Sequence, residues 1–473
     1  MSIVADRSTC APMTWGQIAM WDVLEWLNPD EASLNLAAVL PIPRGTAVPH
    51  VLEAVRQLVL RHESLHTAYF SIDGELTQCV KDEIELDVFV IETSSDEEVA
   101  ELAHSAAIEL ANDAFDISSG VQLRVALTVR DGLARAIALV ASHMAVDAGS
   151  FQIVQSELKT LLSPGGGRDG LRKRSQQPVE RAEFEASPAG AKLQDNALAF
   201  WRQTTSLASP SSISRLSVPA DDQLAWASIE SKAIALAAHD LAARYSVSPS
   251  AVILASLGLL IGDFTGEPGP VFRSLIATRF RSHDRQFVGA FNLNSIIHVA
   301  TDSQLFADHV RRTAAATLKA FVRCEANPRR VEEVINDVAS AREITPGSYC
   351  FFNDVATGRL SEPVLDAVAD PAAVAAAAEG PGRSSTAAEG PGRFSTAAKG
   401  TQIVTLPYQG RQLDSKFFVF LHSLYPTCVM RLCKDRRFIP DASPSDFFSS
   451  LENLIVRAAT TPGISVQELL DRR

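Results

Sequence analysis

Val140-Ala141-Ser142-His143-Met144-Ala145-Val146-Asp147-Ala148-Gly149-Ser150 joins an apolar run to a helical one and leaves a histidine and an aspartate at the junction. Upstream, residues 133–141 read as a mostly buried strand. Downstream, Phe151, Val154, Leu158, Leu161 and Leu162 recur at helical spacing, and Asp147 and Ser150 are residue types that cap a helix N-terminus. The pattern predicts strand, turn and helix, with His143 where the strand stops and Asp147 in the turn. An imidazole with an unperturbed pKa of ~6.5, held near a carboxylate on such a scaffold, suits proton transfer near neutral pH. The same two residue types also serve ordinary structure, as a satisfied histidine and a helix cap, and spacing alone leaves both readings open.

Working outward, the strand signal at 121–130 meets that at 133–141 across Asp131-Gly132, a two-residue hairpin turn. Val51, Leu52, Val55, Leu58 and Val59 give residues 48–60 one apolar helical face. Ser95-Asp96-Glu97-Glu98 reads as a capping box ahead of a second helix. Residues 1–175 are therefore expected to form an α/β lobe with mixed strands, and 176–193 a linker. The preceding stretch carries a basic cluster (Arg168, Arg172, Lys173, Arg174) that reads as a solvated loop or, alternatively, as a dock for a phosphopantetheine-bearing partner. Residues 194–473 are expected to form a second lobe, with helices at 230–245, 250–262, 303–323 and 441–459. Its strands are expected at 270–278, 287–299, 347–354, 415–422 and 427–433. Within 370–400, Ala-Ala-Glu-Gly-Pro-Gly-Arg-Ser-Ser-Thr (377–386) recurs as Ala-Ala-Glu-Gly-Pro-Gly-Arg-Phe-Ser-Thr (387–396). A ten-residue period in Gly, Pro and Ala has no core-forming face, and this low-complexity insertion is expected to be disordered.

A chain of 473 residues has room for two or three domains. Its 46% hydrophobic and 21% charged content fall in the ordinary globular range. The net charge of −13, from 43 basic and 56 acidic residues, argues against a sequence-independent nucleic-acid binder. The six cysteines (10, 79, 324, 350, 428, 433) include no C-x-x-C pair, so neither a zinc site nor a disulfide scaffold is expected. Reduced thiols in a cytoplasm fit that usage. No signal peptide is visible, and the apolar run at 251–261 is too short to span a bilayer, so no membrane partner is expected.

Several stretches, in order, carry a resemblance. Ser142-His143-Met144-Ala145-Val146-Asp147-Ala148 resembles an H-H-x-x-x-D-G motif, with Ser142 in place of the first His and Ala148 in place of the Gly. Met13 through Trp21 is similar to S-x-x-Q-x-x-x-W. Arg61-His62-Glu63-Ser64-Leu65-His66-Thr67-Ala68-Tyr69-Phe70 is close to R-H-E-x-L-R-T-x-F, with His66 where Arg is usual. Phe115-Asp116 with Leu123 and Arg124 resembles F-D-x-x-x-x-P-L-x-R. Phe200-Trp201 resembles an aromatic-Trp pair that opens the second half, and Gly289 to Asn294 resembles G-x-F-V-N-T with the Asn displaced. These are motifs of the condensation-domain superfamily, which comprises condensation and epimerization domains of nonribosomal peptide synthetases, polyketide-associated acyltransferases and, more distantly, CoA-dependent acyltransferases.

The resemblance implies an α/β fold of two similar chloramphenicol-acetyltransferase-like lobes in a V with a central tunnel. It implies a condensation-type acyltransferase of natural-product biosynthesis that forms an amide or ester from an acyl thioester and an amine or hydroxyl. The thioester is expected on the phosphopantetheine of an acyl or peptidyl carrier protein acting in trans, or on CoA, with no bound cofactor and no metal. His143 is implied as the catalytic residue. Asp147, Arg279 (with Arg281 as fallback) and Ser142 are implied to shape the site, and Ser150, Asn292 and Asn294 to bind substrate. With no carrier serine motif or adenylation core in the sequence, a stand-alone unit is expected. The departures at 142 and 148 keep a second reading open, a non-catalytic relative that recruits a partner enzyme or binds carrier protein.

Overall fold

The computed structural model describes residues 1–27, 32–165, 170–171, 173, 176–216, 223–356, 400–408 and 415–471. Two units emerge, the first Met1–Lys192 with Ala277–Leu293, the second Leu193–Ile276 with Asn294–Arg473. In the first, chain order runs β1 (Ser2–Val4), β2 (Thr9–Pro12), α1 (Trp15–Leu27), β3 (Leu36–Pro41), α2 (Val48–Arg61), a 3-10 turn (Glu63–His66), β4 (Thr67–Ile72), β5 (Glu75–Val80), β6 (Glu83–Glu85), β7 (Val88–Glu92), α3 (Val99–Ala111), β8 (Leu123–Arg130), β9 (Leu133–Ala141), α4 (Ala148–Leu162) and α5 (Pro178–Ala186).

The expected hairpin is present. β8 and β9 pair antiparallel with Leu127 opposite Ile137, joined by Asp131 and Gly132 at φ 53° and 72°, the left-handed values a two-residue turn needs. β9 lies inside the sheet β3-β9-β8-β7, and Ala136 through Ala141 are all buried. Burial on both faces explains the unbroken apolar run that precedes Ser142. α2 presents Val51, Val55, Leu58 and Val59 to the same core as α4's Phe151, Val154 and Leu158, so the apolar stripes read from sequence meet. The capping box at Ser95 does not form: α3 starts at Val99 without a side-chain cap, and the Ser95 hydroxyl instead accepts from the Glu97 N–H.

Two further expectations need correction. Cys10 and Cys79, directly opposite on β2 and β5, form a disulfide. The pairing arises from strand register across 69 residues of sequence, which spacing motifs do not capture. The other four cysteines are free and buried. The expected linker 176–193 is helical over α5 and again from Pro188, its first helix carrying a capping box between Gln177 and Glu180.

The second unit contains α6 (Pro188–Leu207, which starts in the first unit), α7 (Pro210–Ile213), β10 (Leu224–Ser231), α8 (Lys232–Tyr245), α9 (Pro249–Thr265), β11 (Val271–Ala277), β12 (Asn292–His298), α10 (Phe306–Val322), α11 (Pro328–Ser340), β13 (Tyr349–Asp354), β14 (Gln402–Leu406), β15 (Ser415–Ser423), β16 (Cys428–Asp435), α12 (Pro444–Thr460) and α13 (Val466–Leu470). Its sheet is ordered β12-β11-β13-β15-β16-β10-β14. Ser248 caps α9, its side chain accepting from the Ala251 N–H, and that helix's apolar run, Ala251 to Ile261, is buried core. β10 and β14 were not legible beforehand. The strand expected at 287–299 is regular only from Asn292, because 277–293 leaves the sheet to join the first unit. The repeat at 377–396, most of the 370–400 insertion and Arg168, Arg172 and Arg174 lie outside the described residues.

Gly132→Ala should lower stability by about 1–2 kcal/mol, the cost of a left-handed L-residue. Thermal unfolding checks this, and a full loss of the fold would contradict the turn's local role.

Candidate functional site

The turn after β9 is fixed from inside. Ser142 Oγ accepts from the Met144 N–H at 3.3 Å, and the Ser142 carbonyl accepts from the Ala145 and Val146 N–H groups. Met144, Ala145 and Val146 are fully buried. The chain therefore leaves β9 in a compact turn whose apolar members anchor it, and His143 is its half-buried member.

Asp147, the last residue before α4, has no solvent exposure. As N-cap it accepts from the Ser150 N–H at 2.7 Å. Arg279, on the segment that the first unit takes from between β11 and β12, donates to Oδ2 at 2.8 Å and to Oδ1 at 2.7 Å, and the Phe291 N–H adds a bond at 3.2 Å. Burial works to raise this carboxyl's pKa, but the charge and hydrogen bonds of Arg279 and the Ser150 N–H outweigh it and hold it below the usual range. A buried carboxylate with this many charge-assisted donors is an anchor, since its acceptor sites are spent on the fold.

Ser150 extends the anchor. Its hydroxyl donates to the Gly289 carbonyl at 2.8 Å and accepts from the Gly289 N–H at 2.9 Å and from Arg279. It is completely buried, so the expected substrate contact is replaced by a structural one. The sequence placed Ser150 correctly beside Asp147 but could not show that 277–293 would cover it.

The His143 ring sits beside this anchor. Its Nδ1 is buried without a hydrogen-bond partner. Burial pushes its pKa below the ordinary histidine value, opposed by the carbonyl oxygens of His143 and Val146 and by the Asp147 charge. At neutral pH the ring is therefore the uncharged form, able to accept a proton.

Of the two motif departures, Ala148 is exposed at the first helical position. One residue later a side chain would be crowded: a Cβ on Gly149 would stand 3.0 Å from Arg279 Nη1. Ser142 is 3% exposed and is used in the turn. Asn292 and Asn294 are half-buried at the start of β12, Asn294 in the second unit. Neither is brought to His143 by a described hydrogen bond. Arg281 pairs with buried Asp284 instead of Asp147.

The other motif residues serve structure around this turn. Arg124 donates to the carbonyls of Leu110, Asp113 and Ala114 and stacks 3.9 Å above the Phe115 ring, which ties the end of α3 to β8. Arg61 and His62 both meet Glu157 of α4, and Glu63 is bound bidentately by Arg7. Gln17 donates to Gln78, and the Trp15 N–H donates to Glu185 of α5. Two features escaped the sequence reading. Arg181, 1% exposed, lies 4.9 Å from the Phe291 ring. Gly16 admits no Cβ because the Ala290 carbonyl occupies that space. Both press 277–293 into place, and a glycine in a helical first turn was the only signal for the second.

A family model described as "Condensation domain" matches residues 8–337. The chain is 25% identical over 352 residues to phosphinothricin tripeptide synthetase PhsC of Streptomyces viridochromogenes, covering 71% of this chain and 31% of that protein. Surfactin synthase subunit 1 of Bacillus subtilis is 25% identical over 344 residues, covering 72% of this chain and 9% of that one. The chain thus spans about a third or less of these relatives' length. Among solved structures, SgcC5 of Streptomyces globisporus, in complex with a naphthyl ethanediol and sucrose, aligns with TM-score 0.63 at 17% identity over 94% of this chain and 99% of that one. The X-domain in complex with OxyB from teicoplanin biosynthesis aligns with TM-score 0.63 at 15% identity, covering 97% and 95%. These likenesses establish the fold, which is that of chloramphenicol acetyltransferase-like enzymes.

Asp147→Ala should destabilise the protein by ~3–5 kcal/mol, since it leaves Arg279 partly buried and unpaired. Because the folded carboxyl is depressed, its stabilising contribution is present above the unfolded value of ~3.9 and is lost as pH falls through the folded value. Wild type and variant should therefore differ most at pH 5–7 and converge in strong acid. Denaturant melts across pH check this; an equal difference at every pH would contradict it.

Proposed function

From the premise that this chain belongs to the condensation-domain family, we propose that it catalyses acyl transfer from a carrier-tethered phosphopantetheine thioester to an amine or hydroxyl, with His143 as the proton-transfer group. Condensation domains usually form amide bonds, and the family also contains non-catalytic members. The observation that carries the catalytic reading is His143 itself: a half-buried, uncharged imidazole on a turn held by the Asp147–Arg279 anchor.

The chemistry needs little else from side chains. The nucleophile's nitrogen or oxygen attacks the thioester carbonyl while its proton passes to the imidazole. The C–S bond then breaks, and the proton returns to the departing sulfur, so amide or ester and free thiol are produced and His143 is restored. A ring whose pKa burial holds below the ordinary histidine value is in the proton-accepting form at pH 7–8, and such catalysis contributes on the order of 10²–10⁴ in rate. Asp147 takes no proton in this scheme. Its carboxylate is held by Arg279 and Ser150 and keeps the turn from shifting, where small misplacements are costly.

The second reading, a non-catalytic domain that binds carrier protein, draws on Ser142 standing where the family motif has histidine. The exposed Ala148 gives it no support.

The deciding experiment offers a carrier-bound acyl donor with amine and alcohol acceptors and follows product by mass spectrometry. Wild type should form product and His143→Ala should be slowed by roughly 10²-fold or more without loss of fold. Carrier binding without turnover in wild type, gained in Ser142→His, would favour the second reading. The acid limb of kcat/KM should fall below pH 6.5, since activity is lost as the ring protonates; a limb above pH 7 would contradict a depressed His143.

A further inference from the structure

One face of the second unit's sheet carries a ladder of parallel rings that the acyl-transfer chemistry does not use. Phe351 of β13 stacks on Phe418 of β15 with centroids 4.9 Å apart and planes 5° from parallel. Phe418 stacks on Phe420 at 4.1 Å and 14°, and Phe420 on His422 at 6.0 Å and 10°. The ladder climbs out of the core: Phe351 and Phe418 are buried, Phe420 is half-buried and His422 is exposed.

Strand register fixes what flanks its outer end. Asn353 of β13 lies directly opposite Phe420 on one side and Arg431 of β16 on the other. Directly opposed residues share a face with Cβ atoms about 5 Å apart. Asn353 is half-buried and Arg431 exposed, and neither side chain makes a hydrogen bond or ion pair among the described residues. The next strand contributes Ser228, opposite Arg431. The outer ladder is thus one ring wide, with an amide on one flank and a guanidinium on the other. Partial burial and the nearby Arg431 charge both hold the His422 imidazole below its usual pKa, so at pH 7 the last ring stacks uncharged and Arg431 is the cation of this patch.

We propose that the outer end of this ladder is a binding subsite for a planar aromatic monoanion, of the aryl carboxylate class, whose ring stacks on the outer face of His422, the ladder's exposed end, while its carboxylate meets Arg431. Planarity follows from the near-parallel rings, because an aliphatic chain gains no quadrupole-matched stacking there. Single charge follows from the flanks: among the described residues Arg431 is the guanidinium beside the ladder's outer end, and exposed Glu230 lies one row further out on β10, which opposes a polyphosphate. Arg is suited to the role, since its planar fork pairs with a carboxylate and also stacks on rings. That such a ligand is a substrate of the acyl transfer rests on the reading above. That the ladder binds it does not.

The test is equilibrium binding by fluorescence titration of the full chain with 2-naphthoate, with neutral 2-naphthamide and cyclohexanecarboxylate as controls. Naphthoate should bind most tightly. Arg431→Gln should weaken naphthoate about tenfold, to the level of naphthamide, and leave naphthamide unchanged. His422→Ala should weaken both aromatic probes with Arg431 intact. Circular dichroism and melting verify that each variant is folded. Equal binding of naphthoate and cyclohexanecarboxylate, or naphthoate binding unaffected by Arg431→Gln or by His422→Ala, would overturn the proposal. His143→Ala should bind naphthoate like wild type. Binding retained while wild type forms no acyl-transfer product would remove the catalytic reading alone, and turnover of an aliphatic donor without naphthoate binding would remove the subsite alone.

Discussion

The charge pair between Asp147 and Arg279 is the constraint on which the rest of the site depends. A carboxylate with no solvent exposure is tolerable only when its charge is met at close range, and here the partner comes from 132 residues away in sequence. That requirement draws 277–293 out of the strand pattern of the second unit and makes it part of the first. Once drawn in, the segment is held by Ser150 through Gly289, by Arg181 against Phe291 and by Gly16 beneath Ala290. The His143 turn is thus braced by a network no member of which is His143.

This division of labour explains the pattern of motif departures. Ala148 is exposed at the start of a helix, and a side chain would be crowded one residue later, where a Cβ on Gly149 would stand against the guanidinium. Serine at 142 serves the turn through its hydroxyl and lacks a ring. Neither departure falls on a side chain that hydrogen-bonds to Asp147 or Arg279.

Much of this was legible in the sequence, and the reason is local. The hairpin, the turn residues with positive φ and the Asp147 cap follow from residue types at adjacent positions, so β8, β9 and α4 could be read directly. The pairing of Asp147 with Arg279 was reached by resemblance, because no spacing rule links residues so far apart. What the sequence hid is long-range. Ser150 carries a hydroxyl that suits substrate as well as structure, and only the covering segment decides between them. Cys10 and Cys79 pair because β2 and β5 are in register. β10 and β14 blend into neighbouring helix and turn signals. The aromatic ladder is invisible as a motif, since Phe418, Phe420 and His422 merely alternate along one strand and Phe351 and Arg431 reach them only through sheet order.

A double-mutant cycle on Asp147→Asn and Arg279→Gln, read by equilibrium denaturation, tests the anchor most directly. Removing both partners should cost little more than removing either, with a coupling in the upper part of the 0.5–3 kcal/mol range seen for interacting residues. Strictly additive losses would show that the two side chains contribute independently, and the account of how the His143 turn is held would fail.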